Sequence, residues 1–143
     1  MIEVINTNRK AYRDYQVFET VESGMELKGS EVKSLRDGRI NLEDSFARIE
    51  AGEVILYNAH ISPYAQASYL NVEPKRPRRL LLHKNQITRL AMMLAQKRFT
   101  LVPLKAYFNE RGFAKIELGL CKGKKLYDKR EDIKRRETEL EIR

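Results

Sequence analysis

Tryptophan is absent from this 143-residue chain, and cysteine occurs once, at Cys121. One cysteine cannot close an internal disulfide, which fits a reducing, cytoplasmic setting. No apolar run approaches the roughly 20 residues that a membrane-crossing helix needs, so no membrane partner is expected. The N-terminus, MIEVINTNRKAYRDY, lacks the apolar stretch of a secretory signal. Histidine is scarce too, with only His60 and His83. Together they are candidates for acid–base cleavage of RNA. A strand residue beside Ile61 and a helix cap account for them without any chemistry. Cys121 has no histidine near it in sequence and ends an apolar alternation, the place of a small buried residue rather than a nucleophile. No cluster has the spacing of a zinc site, so neither metal nor cofactor is expected. GLCKGKK imitates a phosphate-binding loop, but Gly119 and Gly123 enclose three residues instead of four. Lys125 also stands where a hydroxyl would ligate magnesium. The pattern is that of a non-enzyme.

Charge is what the chain has in quantity, 34% of its residues, with a formal net charge of +8. Segments 75–89 and 122–136 hold 14 of the 28 basic residues and 3 of the 20 acidic ones, leaving 14 basic against 17 acidic residues elsewhere. A solubilising surface mixes both signs. Basicity gathered in two places instead points to a polyanion neutralised at defined positions, and so to a nucleic acid.

Periodicity supplies the body. Residues 12–28 alternate, with Tyr15, Val17, Glu19 and Val21 on one parity and Ser23-Gly24 offering a turn, which predicts a hairpin. GSEVKSLRDG predicts a short helix capped by Ser30 and closed by Gly38, with Lys33 at N3 and no full capping box. Residues 45–61 predict a second hairpin turning at Ala51-Gly52. The stretch from Ser62 to Arg79, broken by Pro63, Pro74 and Pro77, reads as a crossing loop or short turn. Ile87, Leu90, Ala91 and Leu94 mark one substantial helix over about 84–98, and residues 99–108 and 113–120 form a third hairpin around NERG. The fold expected is mainly β: a small closed six-stranded antiparallel barrel of the oligonucleotide-binding sort, with one substantial and one or two short helices. A ferredoxin-like sandwich is the runner-up, weakened because only one helix is long.

Candidate RNA contacts follow from residue type. Lys75, Arg76, Arg78 and Arg79 fall in the proline-punctuated loop, where side chains are free to meet phosphates. Asn8, Arg9 and Lys10, with Tyr12, Arg13 and Tyr15, mix cations with rings that can stack on bases, although Tyr15 fits the core better. Glu22 and Glu31 admit two readings: carboxylates accepting from a base or a 2′-hydroxyl, or a turn residue and a first-turn helix acid. Lys115 points away from the core on an alternating strand, as solubility lysines do.

NRKAYRDY, GSEVKSLRDG, the PKRPRRLLL run, LVPLKAYFNERG and GLCKGKKLYDKR, in this order and spacing, resemble the tmRNA-binding SmpB family over nearly the whole chain. EVKSLR together with GKKxxDKR is a specific pair. Departures are Cys121, where alanine is usual, and a short acid-rich end after Arg136. The resemblance implies a cytoplasmic, non-enzymatic protein with an OB-like barrel. Such proteins bind the tRNA-like domain of tmRNA and escort it, charged with alanine and carried by elongation factor Tu, to stalled ribosomes, where the stalled peptide is tagged and the ribosome released. By matching positions it assigns Glu22, Leu81 and Lys115 to RNA binding, with Asn8, Arg9, Lys10 and Lys33 on the same surface. From residues alone Leu81 would have been called core.

The chain divides on this reading into a barrel, 1–122, and a basic tail, 123–143. In the tail Leu126, Ile133 and Leu140 recur every seven residues, too narrow a stripe to dock a helix on the barrel. Glu131 with Arg135 and Asp132 with Arg136 are i,i+4 pairs worth a few tenths of a kcal/mol each. Such a segment is expected to be disordered when free and helical against an outside surface. The resemblance names that surface as small-subunit rRNA at the empty decoding centre and the vacant mRNA path. Gly123, Lys124, Lys125, Tyr127, Asp128, Lys129 and Arg130 are the candidate contacts: the cations on phosphates, Tyr127 stacked on a base and Asp128 as helix cap. A monomer is expected. The alternative reading is a generic basic OB-type or ribosomal RNA-binding protein, with steep salt dependence and little discrimination.

Overall fold

The alternating segments close on themselves. The computed structural model describes residues 2–64, 72–96 and 98–123. Their elements are β1 (Glu3–Thr7), α1 (Arg9–Asp14), β2 (Tyr15–Met25), α2 (Gly29–Arg36), β3 (Ile40–Asn41), β4 (Phe46–Glu50), β5 (Glu53–Tyr57), β6 (His60–Ile61), β7 (Arg78–Leu81), α3 (Lys84–Leu94), β8 (Phe99–Phe108) and β9 (Ala114–Gly123). Strands β8, β4, β5, β7, β2 and β9 are bonded in that order and β9 returns to β8, giving the closed six-stranded antiparallel barrel expected. Closure removes the exposed edges an open sheet would present. Strand β1 lies outside the ring along β8, and β3 pairs with β6 separately.

Two of the six strands differ from expectation. Ser23-Gly24 is no turn: β2 runs through it as one 11-residue strand, paired with β9 from Tyr15↔Gly123 to Gly24↔Lys115. Buried Ser23 donates its hydroxyl to the Ile116 carbonyl (3.0 Å), so a residue type that marks turns serves here as a strand staple. The missing strand comes from the supposed loop, where β7 inserts between β5 and β2. Its alternation is real, with Arg78 and Leu80 inward and Arg79 and Leu81 outward. It was hidden because one inward residue is an arginine. Pro77 immediately precedes the strand, where a missing N–H does least harm. The hairpins β4–β5 and β8–β9 stand as expected.

The barrel core is made by Val54, Leu56, Leu80, Leu101, Ile116 and Leu118, with Leu35, Ile40 and Leu42 from the α2–β3 region and Leu90 from α3. Helix α3 ends at Leu94, earlier than expected; Leu90 is buried, Ile87 and Leu94 pack partly, and Ala91 is exposed. A second, smaller cluster joins Ala11 of α1 to Val102, Leu104 and Cys121, with Tyr15 and Val17 against it. Burial pushes the Cys121 thiol up to about 11, so it remains a protonated, inert packing group.

The start of α1 corrects another expectation. Asn8 is 3% exposed and cannot face RNA. Its Oδ1 accepts from the Ala11 N–H, capping α1, while Nδ2 donates to the Leu42 carbonyl (3.1 Å) and the Pro103 carbonyl (2.9 Å). Helix α2 begins one residue before Ser30, with Lys28 as N-cap and Glu31 at N3, where Glu31 Oε1 accepts the Lys28 N–H at 2.9 Å. Gly38 closes it at a φ of 74°.

Glu31 is therefore structural. Its other partners are Arg76 Nη2 at 2.5 Å and Arg78 Nε at 2.6 Å, and Glu31 and Arg78 are 3% and 0% exposed. Arg78 also donates to the carbonyls of Ala59 (2.7 Å) and Pro74 (2.9 Å). Burial by itself would raise the Glu31 pKa, but the bonds from Arg76, the Lys28 N–H and Arg78 outweigh it and hold the carboxyl below its ordinary value. Glu31 thus contributes stability in full above the ordinary glutamate range, and loses it as pH falls through the lowered folded value. Glu31→Gln leaves Arg78 buried without its counter-charge and is expected to cost about 3–5 kcal/mol at neutral pH. Chemical denaturation should show that deficit narrowing as pH falls below the ordinary glutamate range and through the lowered folded value, where the wild-type carboxyl also gains a proton.

Candidate nucleic-acid interface

Register along three strands assembles one groove. Gly24 of β2 lies opposite Lys115 of β9 on one side and opposite Leu81 of β7 on the other. Glu22 is two residues back on the same strand, and Gln86 and His83 come from the start of α3. With Leu82, these residues line a groove of about 450 Å³. Having no side chain, Gly24 leaves the floor open; a Cβ there would stand 3.3 Å from Leu81 Cβ. Leu81 is 46% exposed, an apolar ridge in a polar rim. The other side of that ridge opens into a second groove lined by Arg79, Lys84 and Ile87 among others.

Glu22 is held at both oxygens. The Tyr107 hydroxyl donates to Oε2, and Lys115 Nζ stands 3.9 Å from Oε1. Tyr107 is directly opposite Lys115 in the β8–β9 register, so the contact follows from strand pairing. Burial, and then the bond to Glu22, push the Tyr107 phenol far above its ordinary range, leaving it a donor at any working pH. The groove thus offers a fixed acceptor, a cation and an apolar ridge. That set can take a base amino group or ribose hydroxyl, a phosphate and an unstacked base face. Gly24, Tyr107, His83 and Gln86 were not legible from sequence as site residues: two lie within strands, and the other two are brought in by α3.

The remaining candidates are scattered. Arg78 is not free to meet phosphates, because it is sealed in the ion pair with Glu31, and Arg76 is drawn to the same carboxylate. Lys75 is exposed, and so is Arg79, with carboxylates of Glu26 and Glu53 at 3.8 and 3.7 Å. Lys33 is exposed on α2, its Nζ 5.6 Å from the centre of the Tyr64 ring. Arg9 is exposed on α1, while Lys10 pairs with Asp44 at 2.6 Å, a contact that raises its pKa. Arg9 and Lys10 are absent from the lining of the groove, and Lys10 instead lines a separate pocket with Asp44 and Phe46. They do not share the groove. His60 is a strand residue opposite Asn41, whereas His83 caps α3 at the groove edge. Gly123 ends β9, one residue past the expected boundary; Lys124, Lys125, Tyr127, Asp128, Lys129 and Arg130 lie outside the described residues.

A family model described as SmpB protein matches residues 5–143. The chain belongs to the SmpB family. It is 62% identical over 142 residues to the SsrA-binding protein of Caldicellulosiruptor bescii, covering 99% of this chain and 89% of that one. Identity to the SsrA-binding protein of Moorella thermoacetica is 57% over 141 residues, covering 99% and 91%. Among solved structures, a chain from "tmRNA-SmpB: a journey to the center of the bacterial ribosome" superposes with a TM-score of 0.71 at 55% identity over 83% of each chain. The SmpB match extends through both the barrel and the basic C-terminal segment.

Two substitutions test the groove with the barrel kept intact. Gly24→Val should fill its floor and displace Leu81, lowering affinity for the RNA ligand at least tenfold. Tyr107→Phe should free one oxygen of Glu22 and weaken binding about three- to tenfold, at a stability cost of about 1–2 kcal/mol. Filter binding beside thermal unfolding reads both; unchanged affinity in both variants would remove the groove as the interface.

Proposed function

We propose that this chain is a non-enzymatic RNA-binding protein of trans-translation, which binds the tRNA-like domain of tmRNA and delivers it to stalled ribosomes. The observation that carries the reading is the convergence of Glu22, Leu81 and Lys115, residues far apart in sequence, on one groove. Lys115 neutralises a phosphate, Glu22 accepts from a base amino group or 2′-hydroxyl, and Leu81 covers the face of an unstacked base. An acceptor held rigid beside a cation favours a shaped RNA over any polyanion, since a carboxylate adds nothing to bare electrostatic affinity. Family membership and the relatives' name, SsrA-binding protein, support the same partner.

On this reading the protein works in the cytoplasm as a monomer, and meets elongation factor Tu through the shared RNA. The C-terminal segment serves a second partner. Strand β9 ends at Gly123, paired with Tyr15 at the end of β2 remote from the groove. A segment leaving there is free to enter the empty decoding centre and mRNA path of the small subunit while the groove holds tmRNA. Gly123, Lys124, Lys125, Tyr127, Asp128, Lys129 and Arg130 are its proposed contacts.

The test compares the full chain with one ended at Gly123, each titrated with the tmRNA tRNA-like domain and an unrelated hairpin at two salt concentrations. Both forms should bind the tRNA-like domain alike and prefer it to the hairpin, while only the full chain supports peptide tagging on stalled ribosomes. Loss of binding on truncation, or no discrimination by either form, would reduce the protein to a cationic clamp.

A further inference from the structure

Strand β2 changes faces part-way along. Tyr15 and Val17 pack on the small cluster under α1, while Val21 and Met25 pack in the barrel core. These residues share one parity, so an extra residue must intervene. It is Phe18: Val17 pairs with Cys121 and Glu19 with Leu120, leaving Phe18 unpaired in a β-bulge. Bulges re-aim a side chain, and this one leaves a phenyl ring 50% exposed where a polar residue would satisfy the same backbone.

The ring is nevertheless ordered by its neighbours. Phe99, the first residue of β8, meets it edge-to-face at 5.5 Å and 85°. Lys122, opposite Phe99 in register, holds Nζ 4.8 Å from the Phe18 centroid and 4.7 Å from that of Phe99. Exposed Arg98 precedes Phe99. The nearest acid on the strand, Glu19, is already claimed by both terminal nitrogens of Arg89 from α3, one at 2.7 Å. A half-exposed aromatic ring thus has one cation, Lys122, against it, with the adjacent carboxylate neutralised. That combination suits a ligand with a flat face and a negative backbone, and matches neither an apolar protein surface nor a bare anion.

We propose that Phe18, Phe99 and Lys122 form a second RNA contact, separate from the Glu22–Leu81–Lys115 groove. One unstacked nucleobase lies on the Phe18 ring, and Lys122 meets the neighbouring phosphate. The proposal rests on the reading that this chain binds RNA, but not on the groove. Stacking on an aromatic side chain tolerates any base, so the contact carries little sequence preference and adds to whatever the groove selects.

The experiment uses the full chain and a single-stranded RNA octamer with one central 2-aminopurine, at a salt concentration high enough to suppress loose electrostatic binding. The wild type is expected to quench the probe on stacking. Phe18→Leu should abolish the quench and weaken octamer binding about tenfold, Phe18→Tyr should retain both, and Lys122→Gln should lower the salt slope by about one. Lys115→Ala should weaken binding of the tRNA-like domain yet keep the quench. Because Phe18→Tyr controls for folding, full quenching by a folded Phe18→Leu overturns the proposal and leaves the ring to a protein surface. A wild-type chain that binds the tRNA-like domain without quenching the octamer overturns the platform alone; one that binds neither RNA overturns the functional reading as well.

Discussion

The guanidinium of Arg78 lies wholly inside the protein, and the barrel closes because Glu31 and two backbone carbonyls meet it there. Strand β7 is four residues long, yet it is the piece that joins β5 to β2. An aliphatic residue at position 78 would pack, but it would take a donor from the carbonyls of Ala59 and Pro74, the latter keeping only the Ile61 N–H, and leave Glu31 with Arg76 as its one cation. The ion pair also reaches sideways: Glu31 caps α2 through the Lys28 N–H while gripping β7, so one carboxylate fixes a helix start and a strand together. A buried pair of this kind adds little net stability over an apolar alternative. What it supplies here is a single way to seat a short strand.

From that seating the groove follows. With Arg78 inward, strand alternation turns Leu81 outward, and the register sets it against Gly24. A one-residue slip would turn Leu81 into the core and leave Arg78 in solvent. The buried charge that locks β7 therefore also decides that the groove has an apolar ridge. Similar economy holds across the groove, where the pairing of β8 with β9 brings the Tyr107 hydroxyl to Glu22 without any loop being involved.

The pattern of legibility follows from this arrangement. The hairpins β4–β5 and β8–β9 announce themselves because their inward residues are apolar and their turns carry Gly52 and Gly112 at positive φ. Strand β7 does not, since a buried arginine breaks the hydrophobic alternation and its partner Glu31 lies 47 residues away. Ser23-Gly24 looked like a turn because local residue type carries no information about the close approach of Leu81. Asn8 misled in the same way: an amide beside two cations reads as an RNA contact, whereas its real partners, Leu42 and Pro103, are 34 and 95 residues off. Glu22, Leu81 and Lys115 were legible as a group only through family resemblance. Each has an ordinary explanation when taken singly, and their meaning lies in a convergence that pairing creates.

Strand β9 bears on how two RNA partners can be held at once. Lys115 stands near its start, in the groove, and Gly123 is its end, where the C-terminal segment departs; eight residues separate them, roughly 26 Å along an extended chain. Strand β9 is bonded on both sides, to β2 and β8, and its inward residues Ile116, Leu118 and Leu120 are buried. It cannot slide without exposing that face. On the proposed reading, then, the separation between the tmRNA contact and the root of the ribosomal contact is set by a rigid strand. A flexible joint inside the barrel would let the two RNAs drift relative to one another. On that reading a strand of fixed register makes the protein a spacer as much as an adhesive, as presenting one RNA at a defined place on another would require.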